Sequence, residues 1–149
     1  MAIGEICNRE VVILGRDESA LDAAKLMRQH HVGDVLVVEE RMGRKEPVGI
    51  VTDRDLVVEI MAPGLDPSAI TVGDIMGADL VSVRENTGVF EAIQYMRSKG
   101  VRRLPVVDAN NGLVGILALD DLLELLSEEL LAISKLVKLE QQKEARSRR

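Results

Sequence analysis

Thr52 and Asp55 are the residues best placed by type and spacing to do chemistry. They stand three positions apart in the run Val48-Gly49-Ile50-Val51-Thr52-Asp53-Arg54-Asp55. An apolar stretch that ends in Thr-x-x-Asp reads as a buried strand passing directly into a helix. A helix start presents unpaired N–H groups and the positive end of the helix dipole, which suit a phosphate. A carboxylate one turn in can accept from two sugar hydroxyls at once. The plainer role for the same pair is a capping box, in which hydroxyl and carboxylate satisfy the first backbone donors.

Arg102 and Arg103 form a second cluster, with Lys99 close by. The guanidinium fork suits phosphate, and a compact basic group on an acidic chain reads as a local site rather than bulk surface. His30 and His31 are adjacent on a helix and point apart. No cysteine or carboxylate completes a metal-ligand spacing with them, so no metal site is expected. Asp53-x-Asp55 resembles a magnesium pair only superficially. Phosphate-binding glycine loops and nucleophile triads are absent from the sequence, which argues against an enzyme and against a catalytic cofactor.

The 149 residues suffice for one compact unit or two small repeats sharing a core. Hydrophobic content of 46% and charged content of 30% suit a soluble globular protein. A net charge of −6 argues against nucleic acid as a partner. The single cysteine, Cys7, forms no intramolecular disulfide, and together with an N-terminus unlike a signal peptide it points to the cytoplasm. No apolar run approaches the roughly 20 residues of a membrane helix. With only Phe90 and Tyr95 as aromatics, any base-binding slot must be mostly aliphatic.

The elements that must position these residues occur twice. A slide of 69 residues lays Ser19–Glu39 on Gly88–Asp108, and a slide of 66 lays Val48–Val57 on Val114–Leu123. Each copy reads β-α-β-β-α: a short strand (Val11–Leu14 or Leu80–Val83), a helix, a strand (Val35–Glu39 or Leu104–Asp108), a strand (Val48–Val51 or Val114–Leu117) and a closing helix. Arg41–Glu46 reads as a basic loop, and Asn110-Asn111-Gly112 as a hairpin turn. The fold class is α+β, two repeats related by a pseudo-twofold. Residues 1–66 hold the first repeat and a linker marked by Pro63, Gly64 and Pro67, and residues 67–127 hold the second. The phrase Thr71–Met76 is expected to open the second copy, matching Ile3–Cys7 at the start of the first.

The last helix runs past the repeat through residues 128–149, finishing in a basic tail. Leu119, Leu123, Leu126, Leu130, Ile133 and Val137 alternate spacings of four and three, a coiled-coil-like seam that favours a partner subunit. Leu122, Leu125, Leu136 and Leu139 add a second apolar ridge.

The duplicated unit resembles a pair of CBS domains (named after cystathionine β-synthase), also called a Bateman module. The resemblance rests on Gly49-x-x-Thr52-x-x-Asp55, Gly115-x-x-x-x-x-Asp121, Thr71-Val72-Gly73-Asp74-Ile75-Met76 and Val101-Arg102-Arg103-Leu104-Pro105-Val106-Val107-Asp108. It covers residues from about 3 to 126, and the module fills the chain. Such modules bind adenosine ligands (AMP, ADP, ATP, NAD or S-adenosylmethionine) in clefts between repeats and regulate a partner without catalysis. The resemblance implies that Asp55 holds a ribose, with Thr52 beside the ribose-phosphate and Arg102, Arg103 and Lys99 facing the phosphates. Val12, Ile13, Val32 and Val35 would form the adenine slot.

In the second copy, Ala118 stands where the first has Thr52, and Gly33 with Asp34 would face the site at Asp121. That site is expected to be weak or vacant. The expected function is therefore a homodimeric nucleotide sensor acting on a partner protein whose identity the sequence does not reveal. The alternative is a ligand-free dimerisation scaffold acting through the C-terminal helix.

Overall fold

The computed structural model describes residues 1–77 and 79–148. It divides into two units, residues 1–117 and the residues from Ala118 onward. The first unit carries two three-stranded sheets in the orders β1-β2-β3 and β4-β5-β6. The strands are β1 (Ile13–Gly15), β2 (Asp34–Arg41), β3 (Arg44–Thr52), β4 (Val83–Arg84), β5 (Arg103–Val107) and β6 (Leu113–Ala118). The helices are α1 (Ala20–His30), α2 (Asp53–Leu56), α3 (Val72–Ile75), α4 (Val89–Lys99) and α5 (Leu119–Ser147). The mixed α+β repeat is thus present twice.

Local chemistry sets the boundaries. Ser19 caps α1 by accepting from the Asp22 N–H at 3.1 Å. Its counterpart Gly88 starts α4 without a side-chain cap. Both helices end on a left-handed residue at corresponding positions, His31 (φ 54°) and Gly100 (φ 66°). After α2, a π-helical turn, Val57–Met61, completes the closing helix of the first repeat.

Two expected boundaries shift. The first strands are shorter and later than the apolar stretches suggested, because only Ile13–Gly15 and Val83–Arg84 pair in parallel with β2 and β5. The Arg41–Glu46 loop is instead a two-residue hairpin: Arg41 pairs with Arg44, and Met42 (φ 53°) and Gly43 (φ 75°) make the turn. Facing Arg41 and Glu46 side chains, 3.6 Å apart, close its base. Pro47, which has no N–H to give a ladder, lies opposite Val38 where the register shifts.

The short turns change places between the repeats. Thr71–Met76 follows the linker, yet it packs on the first repeat: Val72 N–H donates to Glu18 O at 2.8 Å, and Gly73 N–H to Arg16 O at 3.0 Å. Val72 is fully buried in the core of Leu14, Ala23, Met27, Val35, Val37 and Val51. The N-terminal turn makes the matching bonds to the second repeat, Ile3 N–H to Thr87 O at 2.8 Å and Gly4 N–H to Glu85 O at 2.9 Å. Met76 covers Gly49 and Cys7 covers Gly115, each seated where a glycine leaves room. This reciprocity, at the same offsets of 69 and 66 residues that relate the two copies, is the pseudo-twofold, and it ties each repeat to the other's lead-in segment.

Candidate functional site

A cleft of about 500 Å³ opens in the first unit, lined by Ile50, Thr52, Asp53, Arg54, Val101, Arg102 and Arg103. Ile50 and Thr52 end β3, Asp53 and Arg54 start α2, and Val101–Arg103 lead into β5. The motif helix of one repeat and the basic segment of the other therefore share one wall system. β5 starts at Arg103, with Arg102 just before it, and β3 ends at Thr52.

Thr52 and Asp55 form the capping box. Asp55 N–H donates to Thr52 Oγ1 at 3.2 Å, and Thr52 N–H donates to Asp55 Oδ2 at 2.9 Å. Both residues are half-buried. Thr52 lines the cleft and Asp55 lies one step behind it, its carboxylate turned to the backbone.

Three guanidinium groups converge here. Arg103 Nε lies 3.5 Å from Asp34 Oδ2, the long end of an ion-pair distance. The side chains of Arg54 and Arg102 have no ion-pair partner among the described residues. Opposite them, Asp53 Oδ1 accepts from the Arg54 N–H at 2.8 Å. Asp53 N–H donates to Gly33 O at 2.9 Å. Gly33 is needed for this approach, since a Cβ there would stand 3.1 Å from Asp53 Oδ2 and 3.6 Å from Arg103 Nη2.

Asp34 is the member under electrostatic stress. Burial pushes its carboxyl above the ordinary carboxylate range; Arg103 pulls it down and the nearby Asp53 pushes it up again. With Arg103 only loosely engaged, the net arrangement is a partly neutralised basic cleft with two carboxylates at its back. An incoming phosphate would find two unpaired arginines and a third held by a weak bond.

Of the residues read from the sequence, the cleft brings together Thr52, Arg102 and Arg103, with Asp55 adjoining. Lys99 does not line it; its Nζ lies 5.9 Å from the centroid of the Tyr95 ring. Val35 is in the core, and Val12 is half-buried against that core. Ile13 pairs with Leu36 in β1, and Val32 closes the end of α1 by donating to Met27 O at 3.1 Å. None of these four lines the cleft. Gly33 and Asp34, read as facing the site at Asp121, lie against Asp53 and Arg103 of the first cleft.

Sequence reasoning missed Asp53, Arg54, Ile50 and Val101 as lining residues. Arg54 carried a legible signal, standing between the two motif residues. In the second unit, Asp121 Oδ2 accepts from the Ala118 N–H at 2.9 Å, the counterpart of the Asp55 bond without a hydroxyl cap. Among the described residues, no group of three or more His, Cys, Asp or Glu is placed to hold a metal ion. No described helix is long and apolar enough to cross a membrane.

Two exchanged repeats meeting over such a cleft define a tandem CBS-domain architecture. The CBS domain family model matches residues 3–62 and 72–128, and the chain belongs to that family. It is 39% identical over 124 residues to an uncharacterized protein of Methanopyrus kandleri, covering 83% of this chain and 62% of that protein. It is 33% identical over 136 residues to hypoxic response protein 1 of Mycobacterium tuberculosis, covering 90% of each. A solved CBS domain protein of Pyrobaculum aerophilum, in complex with AMP, superposes with a TM-score of 0.72 at 25% identity, covering 81% of this chain and 89% of that one.

Proposed function

We propose that this chain is a regulatory module that binds an adenosine nucleotide in the cleft between its repeats and signals occupancy to a partner protein, without catalysis. The observation that carries the reading is the convergence of Thr52 with Arg54, Arg102 and Arg103 from two repeats, two of the arginines lacking a partner among the described residues. The phosphate lies against these arginines and the start of α2. The ribose lies toward Asp55, whose carboxylate exchanges its bond to the Thr52 N–H for sugar hydroxyls. Membership of the CBS family and the AMP complex of the Pyrobaculum aerophilum protein support an adenosine ligand.

Occupancy ties the two repeats through one ligand and shifts their relative tilt, which a partner reads. The site at Asp121 is the weaker one, because Ala118 offers no hydroxyl. Isothermal titration of AMP, ATP, NAD and S-adenosylmethionine into the full chain tests the reading. Saturable binding of at least one is expected, and absence of binding by all four overturns it.

A further inference from the structure

α5 is 29 residues long, and most of its length is exposed. Leu123, Leu126, Leu130, Ile133 and Val137 are exposed apolar residues along it. At 100° per residue they fall in a stripe only about 80° wide. Leu131, Leu136 and Leu139 are exposed as well and lie off this stripe, so it is the alternation of four and three over two heptads that marks it as a coiled-coil seam. Ten such side chains and the stems beside them amount to on the order of 1,000 Å², the size at which a specific interface becomes stable.

The charges select the occupant's orientation. In a parallel, in-register pair each seam residue meets its own copy, and Glu129 flanks the partner's Ser134. The antiparallel register that keeps every layer apolar, Leu126 on the partner's Leu130, sets Glu129 beside the partner's Glu129. Sliding one heptad either way puts Glu140 on the partner's Leu123 or leaves Ile133 and Val137 uncovered. Glu140 and Glu144 occupy the next two seam positions and end the zipper after Val137. We infer that α5 pairs with α5 of a second copy of this chain as a parallel, in-register coiled coil running from Leu123 to Val137.

Sedimentation equilibrium of the full chain tests the interface. Leu130→Lys places a charge in the seam and is expected to weaken self-association by about a hundredfold. Leu139→Lys is the control, since Leu139 is 62% exposed against 69% for Leu130 but lies off the stripe. It should change association by less than about threefold. Equal effects, or an undisturbed dimer in Leu130→Lys, overturn the proposal. In a Cys7→Ser background, Ile133→Cys should cross-link to itself under mild oxidation and Leu139→Cys should not. Cross-linking only between Leu123→Cys and Ile133→Cys chains would overturn the parallel orientation. Neither readout requires nucleotide.

Discussion

Arg103, at the head of β5, reaches to 3.5 Å from the carboxylate of Asp34, at the head of β2 in the other repeat. The pair joins the two repeats at the back of the cleft, where the nearby Asp53 raises the Asp34 carboxyl while Arg103 lowers it. An arginine held this loosely is available to a stronger anion. On the proposed function, a ligand phosphate would compete with Asp34 for Arg103.

Asp34→Asn should accordingly tighten binding of a phosphate-bearing adenosine nucleotide by about two- to fivefold, the size of one screened charge contact. Calorimetric titration at two salt concentrations checks it, and the gain should shrink as salt rises.

The same substitution changes the pH profile of stability. Burial first, then Asp53, holds the Asp34 carboxyl above its ordinary value of 3.8 in the folded state, against the pull of Arg103. Between that value and the raised one the folded chain binds more protons than the unfolded chain. Its contribution therefore favours folding below pH 3.8 and is lost as pH rises through the folded pKa. Glu39 has the opposite sign: hydrogen bonds from Arg16 and Arg41 hold its carboxyl below 4.5, so its contribution is present above that value and lost as pH falls. Urea unfolding across pH 3 to 7 (roughly the carboxylate range) should show Asp34→Asn gaining on the parent as pH rises. Glu39→Gln should lose to it above pH 4.5, and the deficit should fade as pH falls below that value.

Glycines that seat the exchanged turns should be intolerant to different degrees. Gly115→Ala drives a Cβ to 2.5 Å from the Asn8 carbonyl, which is backbone and cannot yield. Gly49→Ala meets Met76, whose flexible chain can move. We expect about 2–3 kcal/mol lost for Gly115→Ala and about 1–2 for Gly49→Ala. Met76→Ala should rescue part of the second loss in a double-mutant cycle read by denaturant unfolding.

Much of the repeat was legible because its signals are local. Ser19 and Thr52 announce helix starts within four residues, and Asn110-Asn111-Gly112 announces a turn. The exchange of lead-in turns was not legible, because Thr71–Met76 adjoins the second repeat in sequence while its bonds go to Arg16 and Glu18. The tight hairpin at Met42 was hidden by a side chain seldom found at positive φ. At the site, Thr52 and the arginine pair could be read from type and spacing. Asp34 could not, since its contact with Arg103 depends on how the repeats meet. The aliphatic slot had no signal of its own in the sequence: valines with strand periodicity belong first to the core, where Val35 lies.

Asp55→Ala separates capping from binding. Losing the cap should cost about 1 kcal/mol of stability. Asp55→Asn keeps an acceptor for the Thr52 N–H but removes the charge, and it should retain most of that stability. If ribose hydroxyls bond to Asp55, both variants lose nucleotide affinity, checked by paired unfolding and binding titrations.

In the proposed function an adenosine nucleotide is held by the arginines of the second repeat at the motif helix of the first. Titration of the best-binding nucleotide into Arg102→Ala, beside the parent, tests it most directly. Arg102 is exposed and without an ion-pair partner among the described residues, so its loss should leave the unfolding midpoint unchanged. Affinity should fall by about tenfold or more, with stability intact. Unaltered affinity in a folded Arg102→Ala chain would contradict it.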